Sequence, residues 1–134
     1  VTNAGAPTPE AFLAAWVAAS DARDAAALAR LFAPPTLVAH RSGARVLADE
    51  TAIAKAIAGV VARWAAKGIA LHEPSAVRID RLSADFAEIH LIWHLNDANN
   101  EPIQSPQSSY VLRRDADGSW RLAALIEHSD GTGG

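Results

Sequence analysis

The sequence predicts an α+β fold with helices gathered on one face of a mostly antiparallel sheet. Three observations carry that expectation. Helical apolar spacing dominates the first half and stops at Gly68. From Ile69 onward the apolar period changes from 3.6 residues to 2, the signature of strands. Helices followed by a run of strands, without regular βαβ alternation, read as α+β.

Thr8-Pro9-Glu10 opens the first helix with a hydroxyl cap and a proline at the first helical position. Phe12, Leu13, Trp16 and Val17 then fall on one face. Ser20 or Asp21 is the expected cap of a second helix, with Asp24 in its first turn, where the helix dipole favours negative charge. Pro34-Pro35 forbids helix beyond that point, because proline lacks the amide hydrogen and blocks the preceding turn. A short strand is expected over Thr36 to His40, turned back by Ser42-Gly43 toward 44–47. Asp49 caps a third helix with one apolar stripe of Ile53, Ile57, Val60, Val61 and Trp64, and Gly68 ends it.

Strand-like segments follow near 69–81, 85–97, 103–114 and 119–128. Pro74 marks a bulge or a sheet edge in the first of them. Ala98 to Glu101 supplies one turn, and Asp117-Gly118 is a strong hairpin signal. In the 85–97 segment the odd positions Ala87, Ile89, Leu91, Trp93 and Leu95 face the helices. The even positions, His90 and His94 included, face outward. Two histidines four apart on a strand stand about 13 Å apart, too far to chelate one ion together, and no metal or other cofactor is expected. In the next segment the parity of Leu112 puts Ser108 and Tyr110 inside, with a phenolic hydroxyl that needs a partner. The last segment is apolar on both faces, as a central strand would be; whether Glu127 or His128 points inward is open.

The 134 residues suit one domain, with 1–7 and 130–134 read as flexible ends. No cysteine is available for a disulfide or thiolate site. A net charge of −3 with mixed signs gives no basic stripe for nucleic acid, and no apolar run approaches a membrane span. A cytoplasmic protein is the default expectation.

The order of elements, the helix-end Leu31-Phe32-Ala33, the strand Ala87 to Trp93 and the late Asp117-Gly118-Ser119-Trp120-Arg121-Leu122 together resemble the nuclear transport factor 2-like superfamily. That is a cone-shaped α+β fold of three helices on a curved sheet, shared by ketosteroid isomerases and SnoaL-like cyclases. In those isomerases the proton-shuttling aspartate lies eight residues after a helix-end Phe; the same count from Phe32 reaches His40. The register implied by the resemblance puts the oxyanion-binding tyrosine at Trp16 and its protonated aspartate partner at Tyr110. None of the three isomerase residues is present, so steroid isomerase chemistry is not implied.

An imidazole can still act as a base near neutral pH. The resemblance therefore implies a cofactor-free acid–base enzyme for a small apolar carbonyl or hydroxyl compound. His40 and Tyr110 would be catalytic, with Trp16, Ile89, Leu91, Trp93, Ser108, Leu112 and Glu127 around the substrate. The epoxide hydrolase branch needs an Asp-Arg-Asp arrangement, for which Arg78-Ile79-Asp80 offers only part. The competing expectation is a non-catalytic ligand-binding or dimerisation module. The outer face, with Glu88, His90, Ile92, His94, Gln107, Ser109, Val111 and Arg113, would then form a homodimer interface.

Overall fold

A computed structural model describes residues 6–129. Three helices, α1 (Pro9–Asp21), α2 (Ala25–Ala29) and α3 (Glu50–Lys67), pack on a seven-stranded sheet. The strands are β1 (Phe32–His40), β2 (Gly43–Leu47), β3 (Leu71–Arg81), β4 (Phe86–Asn96), β5 (Pro102–Gln104), β6 (Gln107–Arg114) and β7 (Trp120–Glu127). The sheet order is β2-β1-β7-β6-β4-β3, with β5 pairing β4. Only β1 and β7 run parallel; all other pairs are antiparallel.

The helix ends follow the chemistry of their caps. Thr8 Oγ1 accepts from the Ala11 amide at 3.0 Å, and Asp49 Oδ1 accepts from Ala52 at 2.9 Å. Gly68 closes α3 at φ +76°, a left-handed conformation that a Cβ would disfavour. The second helix corrects the expected cap. Asp24, not Ser20 or Asp21, accepts from Ala27 at 3.0 Å, and α1 continues through Asp21. This shift frees the Asp21 carboxylate for another partner.

The prolines also act differently from expectation. The second helix has already ended at Ala29, and Pro34-Pro35 lies inside β1, which begins at Phe32. Two prolines cannot donate to a ladder, and β1 slips register against β7 between Phe32 and Leu37. Thr36 compensates from a fully buried position, its hydroxyl lying 3.0 Å from Ala33 O and 3.1 Å from Leu122 O. At the other edge, β3 is both terminal and broken in register between Ser75 and Arg78, which accounts for Pro74.

The segment expected over 103–114 is two strands, because Ser105-Pro106 interrupts it and Pro106 O accepts instead from the Trp93 amide at 2.8 Å. The last strand carries a bulge. Val111 pairs Ala124 while Leu112 pairs Leu122, leaving Ala123 extra. An extra residue switches side-chain parity, so Trp120 and Leu122 face inward before it and Leu125 and Glu127 after it. This explains a sequence apolar on both faces. Ala6, expected in a flexible end, is buried and bridges Trp120 through Trp120 N to Ala6 O at 2.7 Å. The remaining end residues, 1–5 and 130–134, lie outside the described residues.

The core sits between α1, α3 and the inner face of the sheet. Phe12, Leu28, Ile53, Ile69, Ile89, Leu112 and Leu122 are at most 1% exposed. No helix among the described residues is long and apolar enough to cross a membrane.

Candidate functional site

A cavity of about 140 Å³ opens between α1, α3 and the concave sheet face. Its walls are Trp16, Phe32, Val38, Leu47, Ile57, Val60, Trp64, Trp93, Leu95, Leu125 and neighbouring apolar groups, with Arg45, His72, Ser108, Tyr110 and Glu127 as polar members. One row of paired residues crosses the sheet beneath it: Arg45, Val38, Leu125, Tyr110 and Ile89. A wider open groove of about 640 Å³ lies beside α2 and the start of β1. Of its three arginines, Arg113 and Arg121 are already held by Asp115 and only Arg30 is unpaired among the described residues; the smaller cavity gathers a buried tyrosine and a buried histidine.

Within it Tyr110 is buried, and its hydroxyl accepts a 2.7 Å hydrogen bond from Trp93 Nε1. Trp16 packs edge-on to Tyr110 at 5.3 Å between ring centroids, and Phe12 does so at 6.4 Å. Burial pushes the Tyr110 phenol well above its ordinary range, and the Glu127 charge adds to that shift. The hydroxyl is therefore neutral. Trp93 donates to its oxygen, and the Ser108 hydroxyl is a second side-chain hydrogen-bond partner.

Sequence reasoning missed the most informative residue. His72, near the start of β3, has a side chain only 2% exposed and lines the cavity. Its Nδ1 lies 2.9 Å from Asp21 Oδ1, and its backbone amide donates to the same oxygen at 2.8 Å. A carboxylate can only accept, so Nδ1 carries the proton and Nε2 presents a lone pair. That Nε2 is buried and has no hydrogen-bond partner among the described residues.

Trp64 packs on the His72 ring at 4.4 Å, and Trp93 stands at 6.5 Å. Desolvation is the largest influence on His72 and lowers its pKa below 6.5; the Asp21 hydrogen bond and charge oppose it, and Arg23 assists it. A neutral imidazole of fixed tautomer, with one free acceptor in an apolar wall, is the result. Arg23 Nη2 also donates to Ile69 O at 2.7 Å, tying the end of α1 to the approach to β3. The signal overlooked in the sequence is Asp21 itself, an acid in the last turn of a helix, where the dipole opposes it unless it has a partner.

His40 requires a correction. It shares the inward parity of Thr36 and Val38, but it lies at the tip of the β1–β2 hairpin, paired with Gly43. It is exposed, bonds Ser42 Oγ through Nδ1 at 2.8 Å, and does not line the cavity. Counting eight residues from Phe32 overshoots the wall, which Val38 ends. Trp16, Trp93, Ser108, Tyr110 and Glu127 do line it, Glu127 from an exposed position. Ile89, Leu91 and Leu112 are buried in the core and do not line it.

His128, the alternative to Glu127, lies on the outer face with its Nε2 2.7 Å from Ser109 Oγ, which also meets His90 Nδ1 at 2.7 Å. On that face Asp80, Glu88 and His90 bring donor atoms within 4.8 Å of one another, but Asp80 already holds Arg78 Nε at 3.0 Å.

Comparison with known proteins agrees with this architecture. The family model described as NTF2-like protein (DUF6841) matches residues 8–130. The chain belongs to this NTF2-like family. A Nostoc punctiforme protein of unknown function with a cystatin-like fold superposes with a TM-score of 0.73 at 16% identity, over 93% of this chain and 95% of that one. An NTF2-like protein from Novosphingobium aromaticivorans gives 0.67 at 18% identity, over 90% and 79%. A ketosteroid isomerase-like protein from Erwinia carotovora atroseptica gives 0.65 at 19% identity, over 89% and 91%. At these identities the likeness is one of fold, and the NTF2-like frame hosts unrelated chemistries. A search of the curated proteins finds no match.

Proposed function

We propose that this NTF2-like protein is a cofactor-independent enzyme that moves a proton on a small, mostly apolar carbonyl compound. The observation that carries the reading is the buried, unpartnered Nε2 of His72 in the cavity wall, its tautomer fixed by Asp21. A carrier would need the cavity but not a desolvated base held by a carboxylate. Catalytic histidines commonly have such an orienting group.

In this reading His72 Nε2 takes a proton from the carbon next to the carbonyl. The C–H pair forms a new C=C bond, and the former carbonyl oxygen gathers negative charge, to which Tyr110 O–H donates. Where a neighbouring C=C conjugates with the enolate, return of the proton from His72 to its far carbon completes an isomerisation; departure of a β-hydroxyl as water, taking the proton from His72, would instead make it a dehydration. A donor preorganised where charge develops is typically the larger contribution, and the base adds about 10²–10⁴-fold. The cavity compares with apolar cavities of about 150 Å³ that take up benzene, so a single six-membered ring fits.

The test uses cyclohexanone. Its α-protons, followed by NMR in D2O, should exchange at least about 100-fold faster with the protein than in buffer. His72→Gln should remove the acceleration, and His40→Ala should not. Equal exchange by wild type and His72→Gln, under conditions where cyclohexanone shifts the melting temperature, would refute the assignment.

A further inference from the structure

Arg45 has no assigned purpose in the scheme above, yet it is the one arginine or lysine lining the cavity. It sits on β2 directly opposite Val38, exposed at the mouth, and its guanidinium makes no hydrogen bond or ion pair with any described residue. Several arginines hold acids: Arg81 holds Glu10, Arg114 holds Asp85, and Arg113 and Arg121 hold Asp115; Arg30, Arg41 and Arg63 are unpaired among the described residues as Arg45 is, but they do not line the cavity. An unpaired guanidinium beside an apolar cavity is a fork of donors that matches a carboxylate in bidentate geometry.

The other charge at the mouth is Glu127, and its location decides whether an anion is tolerated. Arg45 shares a row with Val38 and Leu125, whereas Glu127 lies two residues beyond Leu125, on a strand two removed from β2. Strand spacing and rise place the two backbones about 12 Å apart. Glu127 is the ladder neighbour of Ser108, and its charge is felt at Tyr110. The Arg45 and Glu127 side chains form no ion pair within 4 Å, so the guanidinium is not already neutralised by Glu127.

We infer that the substrate is a small monocarboxylate, its apolar ring or chain within the cavity and its carboxylate held at the mouth by Arg45. The inference rests on the cavity being the ligand site proposed above. It narrows the substrate class to compact aryl or alicyclic acids whose reacting carbonyl lies on the inner side, toward His72 and Tyr110.

Phenylacetate and its neutral counterpart phenylacetamide test it by calorimetric titration at pH 7.5. The wild-type protein should bind phenylacetate about tenfold more tightly than the amide, the order expected of one charge-assisted pair. Raising the salt should weaken only the acid. Arg45→Met should erase the preference by weakening phenylacetate binding while leaving the amide unchanged. Because Arg45 is exposed and unpaired, this variant should melt with the wild type. Equal binding of the two probes, binding of neither, or a preference that survives Arg45→Met would overturn the inference.

Failure here is distinguishable from failure of the proton-transfer reading, because cyclohexanone carries no carboxylate. Exchange dependent on His72 without an anion preference removes only the substrate class. An anion preference without exchange removes the chemistry and leaves the head-group site.

Discussion

Removing the carboxylate of Asp21 should both loosen the molecule and change which nitrogen of the buried His72 ring carries the proton. One oxygen, Oδ1, accepts from the His72 amide at 2.8 Å and from Nδ1 at 2.9 Å. Asp21→Ala leaves both donors without a protein partner. A buried unsatisfied donor costs about 1–3 kcal/mol. The Asp21 side chain is 37% exposed, so water can reach part of the vacated space, and a total near the lower end, about 2–3 kcal/mol, is expected. For a domain of this size that corresponds to a fall in melting temperature of roughly 10 °C. Asp21→Asn keeps an acceptor oxygen but not the charge, and should cost about half as much.

The decisive assay is the ¹⁵N spectrum of the His72 ring, identified by its disappearance in His72→Gln. Wild type should show a protonated Nδ1 and an unprotonated Nε2. Asp21→Ala should release the constraint and populate the opposite tautomer. A wild-type spectrum with Nε2 protonated would refute the account of His72 as a poised base, as would an unchanged spectrum in Asp21→Ala.

Two further expectations follow from the same cavity. The His72 pKa is lowered chiefly by burial, against the opposing effect of Asp21 and with help from Arg23. The unfolded chain therefore takes up a proton near pH 6.5 while the folded chain still resists it. Stability should be complete above about pH 6.5 and decline as pH falls from there toward the folded value, by at most about 1.4 kcal/mol per pH unit. Urea midpoints at pH 7.5 and 5.5 should differ more for wild type than for His72→Gln; equal differences would contradict this. Tyr110→Phe strands the Trp93 Nε1 donor, now held at 2.7 Å, and should cost about 1–3 kcal/mol in chemical denaturation. Adding Trp93→Phe should cost less than the sum of the separate changes, and strict additivity would mean that the bond contributes nothing.

The parts of the fold legible in the sequence are those set by local chemistry. Thr8, Asp49 and Gly68 mark helix ends through groups that bond within a turn of themselves. The strict alternation of β4, buried at Ala87, Ile89, Leu91, Trp93 and Leu95, follows from one face of a strand meeting the helices. What misleads is competition between local signals. Ser20, Asp21 and Asp24 are all competent caps, and the choice of Asp24 is settled by the recruitment of Asp21 to β3, 51 residues away. Pro34-Pro35 excludes helix without excluding a strand, because Thr36 bonds Leu122 across the irregular stretch.

The site was less legible for a related reason: its key pair joins a helix end to a strand, and neither residue stands in an informative pattern by itself. His72 is flanked by the exposed Leu71 and Glu73, so β3 lacks the apolar alternation that would have marked its inward face. The bulge at Ala123 had a comparable effect on β7, since a one-residue insertion reverses parity and makes Glu127, not His128, the inward group. Counting along the chain placed a base at His40 because family spacing transfers only while the strand keeps its length beyond the cavity wall. Physical requirements transfer better. His72 is buried, oriented by a carboxylate and set in the cavity wall with an unpartnered Nε2, whereas His40, exposed and bonded to a surface serine, has none of these features.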